Sequence, residues 1–275
     1  MSRIRLTSLL LVEERLLEAK YFARRLTRQR DRNSFGYELN AFLTAARSVT
    51  FLLQKEMARV PGFSEWWDGQ RRLLSGDPAA AFFLELRNFS QKEGRISLVG
   101  GSLGRGRWSF RFAGNAECVP PALLNRDVAG CCHEHVAKLA TIVLACAKAF
   151  PYQSCPTKAL TPAGVEALQL CLEDVEEMVG FPRGWTNIGD PISRERRIHV
   201  LRKHVDGVDF AALKRLADWA AKPAPSRDTP SSVLSEQLLT SLVRRLEGPR
   251  RRVETSDLAA ELLLGVHPED GSRDA

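Results

Sequence analysis

The sequence predicts a mainly α-helical protein: an antiparallel helical bundle with an inserted β-hairpin, followed by a smaller helical region. Three observations support this fold class. Apolar residues recur every three or four positions through most of the chain, which is the spacing of amphipathic helices. A segment at about 95–113 instead alternates apolar and polar residues, as strands do. A break at 151–156, which contains two prolines, divides a first domain at 1–150 from a C-terminal region at 151–275.

The first two helices follow from long apolar stripes. One helix is predicted from Leu9 to Arg32, and the next begins at an Asn33 or Ser34 cap and ends near Arg59, before Pro61-Gly62. The stripe of the first helix is Leu9, Val12, Leu16, Ala19, Ala23 and Leu26. The stripe of the second is Phe35, Leu39, Phe42, Leu43, Ala46, Val49, Leu53 and Met57.

Two shorter helices and the hairpin come next. A third helix runs from Phe63 to about Leu74 and carries Trp66 and Trp67. A fourth helix is predicted to begin at Asp77-Pro78, because aspartate is a favourable cap and proline is well tolerated at the first helical position. Gly94 ends this helix. The apolar residues of this helix are Phe82, Phe83, Leu86 and Phe89. The hairpin strands are indicated by Ile96 and Leu98, then by Trp108, Phe110 and Phe112.

The C-terminal half is predicted to be helical. A largely buried helix spans about Asp127 to Phe150, and Thr161-Pro162 opens the next one. The inner face of that helix is Val165, Leu168, Leu172, Val175 and Val179. The remaining predictions are helices at 193–205, 209–221, 233–247 and 256–264, a proline-rich linker at 222–231, and a polar tail from 267.

The composition and net charge of the sequence indicate which kinds of partner to expect. The net charge of +7 and the pI of about 9.3 favour RNA or another polyanion. Six cysteines spread over helical sequence are expected to be reduced core residues, which favours a cytoplasmic location. No window approaches the ~18 apolar residues of a membrane span, so no membrane partner is predicted.

Residues 34–94 carry a family resemblance. A long amphipathic helix is followed by the paired tryptophans and then by a helix that contains Arg87 and Asn88. This order resembles the HEPN superfamily over about residues 8–150. HEPN domains are small helical bundles that include toxin and defence ribonucleases, and their signature is an arginine, commonly followed by asparagine, with a histidine a few residues later. Members often pair as dimers, so the resemblance implies a homodimer.

The chain departs from that signature at Lys92, five residues after Arg87, where the family has histidine. Histidine titrates near neutral pH and can move a proton at a ribose hydroxyl. Lysine ordinarily stays charged, so it can hold a phosphate but is a poor base. If the chain is an enzyme, the resemblance implies a metal-independent ribonuclease. The substitution predicts RNA binding without efficient cleavage, in a toxin–antitoxin or defence-type system.

The predicted nucleic-acid-binding residues combine this motif with two other basic segments. They are Arg87, Asn88, Lys92, Arg24, Arg28, Arg105 and Arg107. Because Arg87 lies four residues after Phe83 and so borders the buried face, pairing with a carboxylate or covering a helix end is the alternative. Gly101–Gly106 is read as a hairpin loop rather than a phosphate loop, since a strand follows it instead of a helix.

Other functions stay open at this stage. Cys131-Cys132-His133-Glu134-His135 offers too few ligands for a structural zinc site, so neither a metal nor a cofactor is predicted. One alternative is a protein-interaction module, antitoxin-like or scaffold, that presents Trp66, Trp67 and the phenylalanines of the fourth helix. Another is a DNA-binding regulator that uses the helices near 193–221, whose basic residues the acidic helix before them could neutralise.

Overall fold

The computed structural model describes residues 6–104, 108–115, 117–187 and 193–219. The predicted mainly helical fold with one antiparallel hairpin is confirmed. The helices of this part are α1 (Leu10–Leu26), α2 (Arg32–Met57), α3 (Phe63–Gly76), α4 (Pro78–Lys92), α5 (Val128–Ala149), α6 (Pro156–Ala159), α7 (Pro162–Ala167), α8 (Leu172–Met178), α9 (Arg194–Arg202) and α10 (Phe210–Ala217). The strands are β1 (Leu98–Ser102) and β2 (Trp108–Phe112).

Helices α1 and α2 pack along each other through the predicted faces. Every residue of the two predicted stripes is buried. The boundary between the helices differs from the prediction, because α1 ends at Leu26 and the cap of α2 is Asp31, not Asn33 or Ser34. The Asp31 carboxylate accepts a hydrogen bond from the backbone N–H of Ser34 at 2.7 Å. This bond starts α2 early and leaves no room for α1 to reach Arg32.

Helix α4 begins at the predicted cap and runs antiparallel to α2. Asp77 accepts hydrogen bonds from the backbone N–H groups of Ala79 and Ala80 and pairs with Lys138 of α5. Phe83 lies 6.0 Å, ring centroid to centroid, from Phe42. Later in the chain, just past the end of α4, Arg95 contacts Tyr37, which lies earlier in α2. The two helices therefore pass each other in opposite directions, and α4 presents one flank to α2.

The hairpin packs on the bundle through its aromatic residues. Phe110 packs against Phe35 of α2, with the ring centroids 4.2 Å apart and the ring planes tilted by 31°. Gly100 lies opposite Phe110 in the β1–β2 register, and a Cβ atom at Gly100 would lie 2.4 Å from that ring. Only glycine fits at position 100 without displacing that ring. Strand β1 also includes Gly101, which was predicted to lie in the hairpin loop.

Helix α5 lies at the centre of the packing. Asp127 caps it by accepting a hydrogen bond from the N–H of Gly130 at 3.0 Å. By length and composition alone, α5 could cross a membrane, contrary to the expectation that no window would come close. Half of its most apolar window is buried, and it packs against α1, α2, α10 and β2. These contacts account for its apolar composition.

The chain between α5 and α9 is more broken than predicted. The unpredicted short helix α6 begins at Pro156, the last residue of the expected break. The helix expected after Thr161 is two helices, α7 and α8. They are separated by a turn in which Gln169 has φ +51°, and the N–H of Leu170 bonds to the carbonyl of Val165. No glycine or proline marks this turn, so the apolar spacing alone could not reveal it.

The buried apolar residues form two clusters. The larger one unites α1 to α5 and the hairpin, and it includes Leu213 and Leu216 of α10. The smaller one is Leu160, Val165, Leu172, Val175, Ile198 and Leu201. The division near residue 150 stays a prediction. Helix α10, from beyond this division, packs onto α5. The predicted helices at 233–247 and 256–264, the linker at 222–231 and the tail lie outside the described residues.

Candidate nucleic-acid interface

Arg87 lies on the flank of α4 that faces α2 and is half-buried. Its Nη1 donates a hydrogen bond to Oδ1 of the neighbouring Asn88 at 3.3 Å. Its Nε is buried and has no acceptor within the residues that the structure describes. In the same part of the chain, no carboxylate lies within ion-pair distance of Arg87, so the alternative of an internal ion pair is not observed.

A second arginine, which sequence reasoning missed, lies beside the first. Arg47 on α2 is half-buried, and its Nη1 donates to Oγ1 of Thr50 at 2.8 Å. Burial, and then the positive charge of Arg87, lower the pKa of the Arg47 guanidinium. The two cations are thus close enough to repel each other, and within the described ranges Arg47 has no carboxylate partner either.

Arg47 lies on a partly exposed side of α2. Tyr37, Asn40, Thr44, Arg47 and Phe51 are spaced three and four residues apart, so they share one side of the helix. The side-chain oxygen of Asn40 is buried and lacks a donor among the residues described. We call Asn40, Arg47, Arg87 and Asn88 the α2–α4 surface. It combines two amide groups with two cations for which the described residues provide no carboxylate partner.

The electrostatics of the α2–α4 surface favour an anion. Two partly desolvated guanidiniums without counter-charges are unfavourable side by side. An anion placed between them would remove the repulsion, and it could accept a hydrogen bond from the unused Nε of Arg87. Guanidinium donors match the geometry of phosphate oxygens particularly well. The arrangement can therefore bind phosphate, whereas no side chain of this surface is suited to accept a proton at neutral pH.

Lys92 is exposed in the last turn of α4. Five residues correspond to about 140° of rotation around a helix, so Lys92 and Arg87 do not share a face. No hydrogen bond or ion pair joins them in the part of the chain that is described. Lys92 is therefore not part of the α2–α4 surface.

The other predicted arginines lie elsewhere. Arg24 lies on α1 and Arg28 just after its end; both are exposed and line one shallow depression with Leu17, Lys20, Tyr21 and Arg25. Arg25 is partly neutralised, since its Nε donates to Oε1 of Glu38 at 2.5 Å. No hydrogen bond or ion pair in the described ranges connects Arg24 or Arg28 to Arg87. Arg105 and Arg107 lie outside the described residues.

The cysteines are free thiols. Cys131, Cys132, Cys146 and Cys155 are buried, as predicted, whereas Cys118 and Cys171 are exposed and the prediction is wrong for them. Burial raises the pKa of Cys131 to about 11 and that of Cys146 to about 12. These two side chains are therefore thiols at neutral pH, which makes them poor nucleophiles and poor metal ligands.

The histidines next to Cys132 have structural contacts. Nε2 of His133 lies 3.0 Å from the carbonyl oxygen of Ala23, and its ring stacks on Trp219. His135 stacks on Phe83 at 4.6 Å between ring centroids. Among the residues described, no group of three or more histidine, cysteine or acidic side chains could hold a metal ion.

The structure weakens part of the case for the two alternative functions, the protein-interaction module and the DNA-binding regulator. Trp67 is buried, with 7% of its surface exposed, and Trp66 is half-buried against Phe63 and Phe150, so this pair presents little free surface to a partner. In the region proposed to read DNA, the predicted neutralisation is confirmed for Arg197. Its Nη2 contacts Glu173 at 2.6 Å and Glu176 at 3.2 Å.

The fold and this surface define a class: a mainly helical protein with a basic surface between two antiparallel helices. Residues 7–101, roughly a third of the chain, match a family model described as Bacteriophage lambda protein ea47. The matched segment spans α1 to α4 and includes Arg47 and Arg87. No curated protein and no solved structure matches the chain. The family match does not bear on the HEPN resemblance, which stays a prediction.

Proposed function

We propose that the protein binds RNA through the α2–α4 surface and does not cleave it efficiently. The observation that carries the proposal is the pair of half-buried arginines, Arg47 and Arg87, which have no carboxylate partner in the described part of the chain. The net charge of +7 adds long-range attraction for a polyanion. The HEPN resemblance supplies the choice of RNA and the setting, a toxin–antitoxin or defence-type system in the cytoplasm.

Binding of RNA and cleavage of RNA require different groups on the protein. Phosphate contacts fix a nucleic acid in place and give most of the salt-dependent affinity. Cleavage would also need a group that exchanges protons near neutral pH. The α2–α4 surface offers guanidinium and amide groups only. Lys92, which replaces the histidine of the HEPN signature, is exposed on a different side of α4.

Alanine at Arg47 or at Arg87 is expected to weaken RNA binding by about tenfold, because each change removes one phosphate contact. The slope of log affinity against log salt should fall by about one for each variant. Fluorescence anisotropy of a labelled RNA, titrated with the full chain at several salt concentrations, measures both quantities.

Arg202→Ala is the matched control, since it removes the same charge from an exposed position on α9. Its affinity should stay within about twofold of the wild type. Equal losses in all three variants would mean that binding depends on overall charge alone. A loss confined to Arg202→Ala would instead support the DNA-binding alternative near 193–221, especially if duplex DNA binds more tightly than RNA. Absence of RNA binding in the wild type would end the proposal.

RNA bound by the wild-type protein is expected to remain intact. Incubation of end-labelled RNA with the full chain, without added metal, followed by denaturing electrophoresis, measures this directly. The matched variants are Lys92→Ala and Arg87→Ala. Cleavage that disappears in Arg87→Ala and persists in Lys92→Ala would contradict the proposal, because it would show a ribonuclease that does not need the missing histidine.

A further inference from the structure

A tyrosine with an exposed ring lies on the same face of α2 as Arg47. Tyr37 exposes 61% of its surface, although nearby aromatic residues of α2, such as Phe35 and Phe42, are fully buried. Its hydroxyl accepts a hydrogen bond from Nη2 of Arg95 at 3.2 Å, and Nη1 of Arg95 donates to Oδ1 of Asn33 at 3.0 Å. The ring is thus held at its hydroxyl end by a cation, while much of its surface remains open to solvent.

A second exposed ring lies further along this face. Phe51 exposes 57% of its surface and is 14 residues after Tyr37, which corresponds to about 21 Å along the helix axis. Arg47 lies between the two rings, about 15 Å from Tyr37. The order along α2 is therefore aromatic, cationic, aromatic. This span is comparable to the shortest single-strand binding sites, about four nucleotides.

We infer that the α2–α4 surface takes single-stranded nucleic acid, with Tyr37 as a stacking platform for an unpaired base. The inference rests on the proposed function, and it specifies the kind of nucleic acid. An exposed aromatic ring gains free energy by stacking on a base that is not already stacked. In a duplex both faces of each base are covered by neighbours, so an aromatic ring on the protein surface gains little.

The position of Arg95 supports this occupant over an apolar protein partner. The Arg95 guanidinium carbon lies over the Tyr37 ring, 5.6 Å from its centroid, so one face of the ring is next to a positive charge and a base would stack on the other face. A strand whose base stacks on Tyr37 would bring the adjacent phosphate towards Arg95, and a strand that continues along α2 would bring a later phosphate towards Arg47. An apolar partner would instead have to desolvate these cations without a counter-charge, which is unfavourable.

The test uses the full chain and three probes of equal length: an unstructured single-stranded RNA, the same RNA as a duplex, and an abasic strand that keeps only the sugar–phosphate backbone. Tyr37→Leu removes the ring, Tyr37→Phe keeps it and removes the hydroxyl, and Tyr152→Leu is the matched control at a half-buried tyrosine beyond α5. Tyr37→Leu should bind the single-stranded RNA about tenfold more weakly, while Tyr37→Phe and Tyr152→Leu stay within about threefold of the wild type.

Binding of the abasic strand distinguishes phosphate binding by the arginines from base stacking on Tyr37. Its affinity should fall in Arg87→Ala and stay unchanged in Tyr37→Leu. If Tyr37→Leu weakens the abasic strand as much as the RNA, or weakens neither, Tyr37 does not stack and the inference fails while RNA binding by the arginines stands. Tighter binding of the duplex than of the single strand would also overturn it. Loss of all binding in the wild type removes the proposed function and the inference together.

Discussion

Replacement of Glu176 by alanine is expected to lower the free energy of unfolding by about 3–5 kcal/mol, because it leaves several buried donors without their acceptor and removes one of the two carboxylates that face Arg197. The Glu176 side chain is fully buried. It accepts hydrogen bonds from the backbone N–H groups of Gly184 and Thr186, from the hydroxyl of Thr186, and from Nη2 of Arg197 at 3.2 Å. The residue joins α8, the turn at 184–187 and α9.

The charge of Glu176 is part of this arrangement. Burial by itself would raise the pKa of the carboxyl, but the hydrogen bonds from Thr186, Arg197 and Gly184 outweigh burial, and the pKa is lowered. The carboxylate is therefore ionised at neutral pH, opposite Arg197. Without it, the counter-charge that remains for Arg197 among the described residues is Glu173, at 2.6 Å.

Urea denaturation followed by circular dichroism measures the effect. Glu176→Gln, which keeps the shape and loses the charge, should fall between the wild type and Glu176→Ala. Glu177→Ala is the matched control, because Glu177 is exposed and makes only a 3.6 Å ion pair with Arg183. The Glu177→Ala change should lower the free energy of unfolding by less than about 1 kcal/mol. Similar losses for Glu176→Ala and Glu177→Ala would show that the buried network contributes little.

Acidification from pH 7 to pH 4 is expected to destabilise the protein through His135. Burial, and then the positive charge of Lys138, lower the pKa of His135 to about 4, although Asp77 opposes the shift. A histidine in the unfolded chain titrates near 6.5. Between these two values the unfolded state binds a proton that the folded state does not. Stability is therefore complete above pH 6.5 and falls as the pH drops towards 4.

If the whole pKa difference of His135 were expressed, the free energy of unfolding would fall by about 3 kcal/mol over this range. We expect a loss of about 2 kcal/mol, because the imidazole keeps some contact with solvent. Chemical denaturation at a series of pH values measures the slope for the wild type, for His135→Phe, and for His199→Gln, which removes an exposed histidine of α9. The slope should become shallower only in His135→Phe. A residual slope is expected from His133, whose pKa burial also lowers. An unchanged slope in His135→Phe would contradict the assignment.

Much of the fold was predictable from the sequence. The stripes of α1 and α2 are unbroken, so every residue that the spacing named is buried, although Glu13, Ala45 and Thr50 are buried as well. The cap at Asp77 was equally clear, because proline follows it. The errors arose where a single side chain or an unusual backbone angle decides the structure. Asp31 competes with Asn33 and Ser34 for the start of α2, and Gln169 breaks a helix at a position that carries no turn residue.

The candidate site was only partly predictable. Arg87 and Asn88 stand out as a motif within one helix, but Arg47, Tyr37 and Arg95 become relevant only because α2 and α4 are antiparallel neighbours. Such a pairing depends on tertiary packing, which spacing within one helix does not encode. One signal was available: Arg47 is a charged residue between the buried pairs Ala45-Ala46 and Val49-Thr50. A cation so close to the core usually has a defined partner.

The cap at Asp77 also determines the direction in which Arg87 points. Asp77 fixes the first turn of α4 and is itself tied to Lys138, and Arg87 follows ten residues later. Insertion or removal of one residue between them would turn Arg87 by about 100° around the helix axis, away from Arg47. A chain that shares this site must therefore preserve the interval from the Asp-Pro start to the arginine, whereas the sequence after Gly94 can vary in length. That interval is a more selective criterion for finding relatives than the Arg-Asn pair by itself.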